Sequence, residues 1–174
     1  MNLYLLRHGI AVAGDQPGIE SDAERPLTPK GTKRMRKAAK GLRRLEIPFD
    51  GILTSPLVRA RQTAEIVAEA LGLESQLQEI SGLAPESSVE NLLLGLTRFQ
   101  NREHLILVGH QPLLGETAAF LLHGKDRPPL DIALKKGSMC ALEVDSLPPG
   151  KPGTLHWLLT PKQLRLLGAR ARKL

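Results

Sequence analysis

Three places in the sequence put a basic or imidazole side chain where an apolar run ends. They are Arg7-His8-Gly9 after Leu3 to Leu6, Thr54-Ser55-Pro56 leading to Arg59, and Gly109-His110-Gln111-Pro112 after Leu105 to Val108. Ser55 reads as a helix N-cap with Pro56 at the first helical position, which puts Arg59 about one turn into a helix. Thr28-Pro29 repeats the arrangement shortly after Arg25. Two histidines and up to three arginines in one pocket suit a phosphoryl group. Arginine offers a planar fork of donors to phosphate oxygens, and histidine can attack phosphorus or donate a hydrogen bond. Taken singly, each residue has a plainer reading, as a hydrogen-bonded structural histidine or a surface arginine. Their conjunction favours the pocket.

The segments that must position these residues alternate in type. Asn2 to Leu6 reads as strand, Pro29 to Leu45 as helix, Gly51 to Thr54 as strand and Pro56 to Leu71 as helix. A short strand over Leu77 to Ile80 precedes a helix carrying Val89, Leu92, Leu93 and Leu96, and His104 to Val108 is followed by a helix over Pro112 to Leu122. Ser138 to Val144 and Thr154 to Leu159 close the series as strands. The βαβα order predicts one α/β domain over residues 1–174, a three-layer α/β/α sandwich with a mostly parallel central sheet. In such sheets ligands bind beyond the carboxyl ends of the strands, where all three motifs fall.

A chain of 174 residues can bury a sizeable core without disulfides or a structural metal. Its only cysteine, Cys140, lies in an apolar alternating segment and reads as a small buried hydrophobe. No window approaches the roughly 18 apolar residues of a membrane span, so a soluble cytoplasmic protein is expected. The net charge of +6 is localised. Lys30, Lys33, Arg34, Arg36, Lys37, Lys40, Arg43 and Arg44 fill one segment, and Lys162, Arg165, Arg170, Arg172 and Lys173 end the chain. In the first segment Met35, Ala38, Ala39, Leu42 and Leu45 fall at helical spacing, so the cations cover the outward side of an amphipathic helix. That side is either a solvated face or an attractor for an acidic partner or polyanion.

Four ordered stretches carry a family resemblance. Leu5-Leu6-Arg7-His8-Gly9, Arg25-Pro26-Leu27-Thr28 with Gly31, Ser55-Pro56-Leu57-Val58-Arg59-Ala60 with Gln62-Thr63-Ala64, and Val108-Gly109-His110-Gln111-Pro112 together resemble the histidine phosphatase superfamily, with its phosphoglycerate mutase-like fold. The Arg-Pro-Leu-Thr element, the short chain and the closing Trp157 to Arg165 are similar to the SixA branch of phosphohistidine phosphatases. The resemblance implies that His8 is a nucleophile passing through a phosphohistidine intermediate. It also implies that Arg7 and Arg59 hold phosphoryl oxygens and that His110 adds a donor in the transition state. Arg25, Gly9 and Ser55 would contact substrate. No metal or other cofactor is implied. Arg7 and Arg59 should keep His8 neutral by opposing an imidazolium.

One departure bears on the substrate. Larger members of the superfamily carry a glutamate just after the third strand as proton donor, and here Gly82 stands at that place, with Glu79 and Glu86 near but out of register. The favoured reading is hydrolysis of phosphohistidine on a protein, such as a histidine-containing phosphotransfer domain or another phosphocarrier. The alternatives are a phosphatase of small phosphoesters or polyphosphate, and a noncatalytic phosphate- or nucleic-acid-binding module. The paired histidines and the lack of RNA-binding aromatic signatures count against the last.

Overall fold

The computed structural model describes residues 1–123 and 130–169. Arg170, Arg172 and Lys173 therefore lie outside the described residues. Six strands form one sheet in the order β3-β2-β4-β1-β5-β6: β1 Asn2–Arg7, β2 Gly51–Thr54, β3 Leu77–Glu79, β4 His104–Gly109, β5 Met139–Glu143 and β6 Thr154–Leu159. The first four in chain order pair in parallel, whereas β5 runs antiparallel to both β1 and β6. The helices are α1 Pro29–Arg43, α2 Val58–Leu71, α3 Val89–Leu96, α4 Leu113–His123 and α5 Pro161–Leu167. Among the described residues no helix is long and apolar enough to cross a membrane.

Both faces of the central strands are covered, which is why they read as unbroken apolar runs rather than alternating ones. Leu3 and Leu5 of β1 join Leu105 and Leu107 of β4 against α3 and α4. Tyr4, Leu6, Ile106 and Val108 face the other way, toward Met35, Ala38 and Leu42 of α1 and Ala60, Ala64 and Val67 of α2. Cys140 is fully buried in the first of these clusters, and burial pushes its thiol up to about 12. It is therefore chemically quiet.

The expected caps are half right. Thr28 accepts a hydrogen bond from the Gly31 N–H at 2.9 Å, with Pro29 opening α1. Ser55 does not cap α2: its own N–H still continues the sheet by donating to the Val108 carbonyl at 3.0 Å, and the helix starts at Val58 behind Leu57. Arg59 consequently stands at the second helical residue rather than a full turn in. Helix α5, absent from the sequence-based expectation, is signalled by Thr160-Pro161-Lys162-Gln163, a complete capping box. Two glycines allow close approach. A Cβ at Gly31 would sit 2.1 Å from the Ile10 carbonyl oxygen, and one at Gly41 2.0 Å from that of Leu164. The first lets the start of α1 press on the chain just after His8, and the second seats α5 on α1.

Candidate active site

Strand register builds the site. Parallel pairing sets Arg7 opposite Gly109, so the next residue on each strand, His8 and His110, leaves the sheet beside the other. Their ring centroids are 5.0 Å apart, with the planes inclined at 52°. On the far side of β4, Thr54 pairs with Val108, and the Ser55 hydroxyl follows to within 2.8 Å of His110 Nε2. His8, His110 and Ser55 are all buried.

The hydrogen bond at His8 fixes its chemistry. His8 Nδ1 lies 2.7 Å from the Gly9 carbonyl oxygen. A carbonyl can only accept, so Nδ1 carries the proton and Nε2 carries the lone pair. The Gly9 N–H in turn donates to Thr63 Oγ1 at 3.0 Å, and the Thr63 hydroxyl donates to the Arg59 carbonyl at 2.7 Å. Gly9 thus orients the imidazole and ties it to α2, and its amide is engaged by Thr63. Thr63 was present in the sequence as part of Gln62-Thr63-Ala64 without an assigned part. Its companion Gln62 accepts the Leu27 N–H at 2.7 Å and holds the Arg25-Pro-Leu-Thr segment against α2.

The guanidinium groups of Arg7 and Arg59 lie close enough to both rings to act on them electrostatically. Arg7 donates through Nη1 to the Leu134 carbonyl at 2.7 Å, while its buried Nε has no partner among the described residues. His110 Nδ1 is likewise buried and unpartnered. Arg59, 6% exposed, donates to the Asp22 carbonyl at 2.6 Å and to the Asp22 carboxylate at 2.7 Å. Arg25 reaches the other oxygen of that carboxylate at 2.5 Å and also donates to the Val12 carbonyl at 2.8 Å. The link of Asp22 to Arg59 escaped sequence reasoning because Arg59 lies 37 residues away on another element. Its carboxyl is held below the usual carboxylate range by hydrogen bonds from Arg59 and Arg25. His104, His123 and His156 stay apart from the site: His104 meets the Tyr4 hydroxyl, His156 meets Glu143 and His123 ends α4. Among the described residues no group of three or more His, Cys, Asp or Glu could hold a metal ion.

Both imidazoles are kept neutral. The His8 pKa is lowered to about 3, chiefly by burial, with smaller contributions from His110, Arg59 and Arg7 and against the opposing bond to Gly9. Burial followed by Arg59 lowers that of His110 to about 4. The arginines therefore act in the expected direction, but burial is the larger cause. In the unfolded chain both rings would protonate near 6.5. As pH falls from about 6.5 toward the folded values, the unfolded state binds protons the folded state refuses, and stability declines through that window. We expect the ring C–H resonances of His8 and His110 to stay unshifted between about pH 8 and pH 5, while the urea midpoint falls below about pH 6.5. A titration midpoint near 6.5 at either ring would refute the assignment.

Comparison with known proteins gives the family. Residues 3–84 fit the sequence model of the histidine phosphatase superfamily, branch 1. The chain is 32% identical over 137 residues to a phosphohistidine phosphatase SixA homolog of Haemophilus influenzae, covering 74% of this chain and 80% of that one. The chain belongs to the histidine phosphatase superfamily. Phosphohistidine phosphatase SixA of Escherichia coli K12 is 28% identical over 171 residues, covering 97% of this chain and 99% of its own. A solved structure of the protein histidine phosphatase SixA complexed with tungstate superimposes with a TM-score of 0.79 at 28% identity, over 94% of this chain and 99% of that one. The resemblance carried by four short motifs thus extends to the whole fold, and this histidine phosphatase sits among the SixA-like members of its superfamily.

Proposed function

We propose that this histidine phosphatase, acting as one catalytic domain over residues 1–174, hydrolyses phosphohistidine on a cytoplasmic signalling or phosphocarrier protein. The tautomer of His8 carries the proposal. Its Nδ1–H is spent on the Gly9 carbonyl, so Nε2 presents a lone pair beside guanidinium groups that bind phosphoryl oxygens. In the first step His8 Nε2 attacks phosphorus, a P–N bond forms to His8, and the P–N bond of the substrate breaks. The departing ring, already protonated on its other nitrogen, leaves as neutral imidazole. Water then attacks the phosphorus on His8, releasing inorganic phosphate and regenerating the nucleophile. Arg7 and Arg59 hold the equatorial oxygens, and the unpartnered Nδ1 of His110 is the donor left for the charge that develops there. A neutral His110 can donate through Nδ1 when the Ser55 hydroxyl donates to its Nε2. Arg25 acts through Asp22, which both arginines share.

Imidazole is the leaving group the site handles best, because its departure needs no proton from the enzyme. Asp22 is kept ionised by its two arginines and Gly82 replaces the acid of the larger relatives. The SixA structure is complexed with tungstate, a tetrahedral oxyanion like phosphate, which supports a phosphoryl-binding reading of this fold. The proposal is checked by incubating the protein in parallel with a histidine-phosphorylated phosphotransfer domain, a phosphoserine peptide, a sugar phosphate and polyphosphate. The phosphohistidine protein should be turned over fastest. A faster rate on the sugar phosphate or polyphosphate would transfer the assignment to a general phosphoesterase.

A further inference from the structure

The charge surplus of α1 lines a groove that begins beside the two residues after His8. A cavity of about 230 Å³ opens beside Gly9 and Ile10, the two residues after His8, and is walled by Arg34, Lys135, Lys136 and Arg165. A second, of about 460 Å³, continues along α1 and α5 between Lys37, Lys40 and Lys162, and Arg165 belongs to both. Among the described residues every charged side chain lining this groove is a cation, and no carboxylate lines either part. Neither α1 nor α5 contains an Asp or Glu, and among the described residues none of these cations is in an ion pair. Arg44 is different: it donates to the carbonyls of Leu167 and Ala169 and closes the end of α5.

We propose that this groove is the docking surface for the substrate protein and that it recognises an acidic surface flanking the phosphorylated side chain. The inference rests on the phosphohistidine reading above and deepens it. From Arg34 to Lys40 the chain rises about 9 Å along α1, and the first cavity lies between that stretch and His8, so the groove outreaches a single phosphoryl group. A folded domain whose modified residue enters the pocket brings neighbouring surface to this side of the molecule, where the groove can meet it. Unpaired exposed cations there attract carboxylates over a Debye length and steer the encounter, which raises the association rate and makes it sensitive to salt.

The test uses the full chain and its variant Lys37→Glu, Lys40→Glu, Lys162→Glu, three exposed positions outside the pocket. Substrates are an acidic, histidine-phosphorylated phosphotransfer domain and p-nitrophenyl phosphate. The variant should lose about tenfold or more in kcat/KM on the domain, with most of the salt dependence, and keep p-nitrophenyl phosphate turnover within about twofold. It should also bind the unphosphorylated domain more weakly at low salt. An unchanged rate on the domain, or equal losses on both substrates, would overturn the docking surface. So would a loss confined to heparin binding, which would give the groove to a polyanion. If the wild type turns over p-nitrophenyl phosphate but not the phosphorylated domain, the phosphohistidine reading fails. Docking is then judged by binding of the unphosphorylated domain alone: no salt-sensitive difference between wild type and variant refutes it.

Discussion

Replacing His8 with Ala should reduce turnover by about 10⁴-fold or more while leaving the circular dichroism spectrum unchanged. The size of the loss follows from losing the only group in the pocket that carries both a free lone pair and a carbonyl bond fixing its direction. The fold survives because His8 lies beyond the end of β1, where its backbone N–H still donates to the Gly109 carbonyl at 3.0 Å. Wild-type protein quenched during turnover should carry phosphate that is labile in acid and stable in base, and the variant should carry none. Arg59→Ala and His110→Ala should retain a phosphorylated enzyme but form it about 10²- to 10³-fold more slowly, the scale of losing one oriented donor to a developing oxyanion. Hydrolysis by His8→Ala near the wild-type rate would remove the nucleophile.

Across a series of aryl phosphates kcat/KM should fall steeply as the phenol pKa rises, with phosphoserine and sugar phosphates slowest of all. An alkoxide is a base comparable to hydroxide, whose conjugate acid water has a pKa of about 15.7, whereas imidazolium has a pKa of about 6.5. If the site offers no proton to the leaving group, it should feel that difference. The nearby carboxylates are unsuited to supply the proton. Asp22 is ionised by two guanidinium partners, Glu79 faces Arg61 at 3.5 Å, and Glu86 lines a surface groove with Ser81 and Gly82. Glu79→Gln and Glu86→Gln should leave the slope unchanged, and Asp22→Asn should not flatten or steepen it. A flat dependence, or collapse on alkyl phosphates alone after one of these substitutions, would identify an acid and favour the phosphoesterase.

What could be read in advance divides along physical lines. Local rules reached the apolar strands, the Thr28 cap and the outward cations of α1, because each depends on a few neighbouring residues. Ser55 had the right type for a cap, but its hydroxyl is used on His110, a tertiary partner that local spacing cannot show. The capping box of α5 is a local signal of the same kind, carried by Thr160 and Gln163. The convergence of His8 and His110 could be expected from their places at strand ends. Their 5.0 Å separation needed the register of β1 against β4, which a sequence without its pairing does not contain. The Arg25–Asp22 pair was within local reach at three residues' spacing, but the tie of Asp22 to Arg59 had no signal, since a carboxylate looks the same in sequence whether it meets solvent or a distant arginine. The direction of the His8 shift was legible from nearby arginines, whereas its main cause, burial, and the shift of His110 belong to the packed fold.

The Asp22 carboxylate in the fork of Arg59 also bears on how the enzyme empties itself. Under the proposed chemistry every entering phosphoryl group takes those donors from an anion already in place, and departing phosphate returns them to it. The exchange weakens the hold on substrate and on free phosphate alike and leaves the barrier between bound states nearly untouched, since it is uniform along the reaction. Under that chemistry product inhibition by phosphate is expected to be low. In a compartment containing abundant inorganic phosphate, an internal competitor of this kind keeps the pocket open to a scarce phosphoprotein.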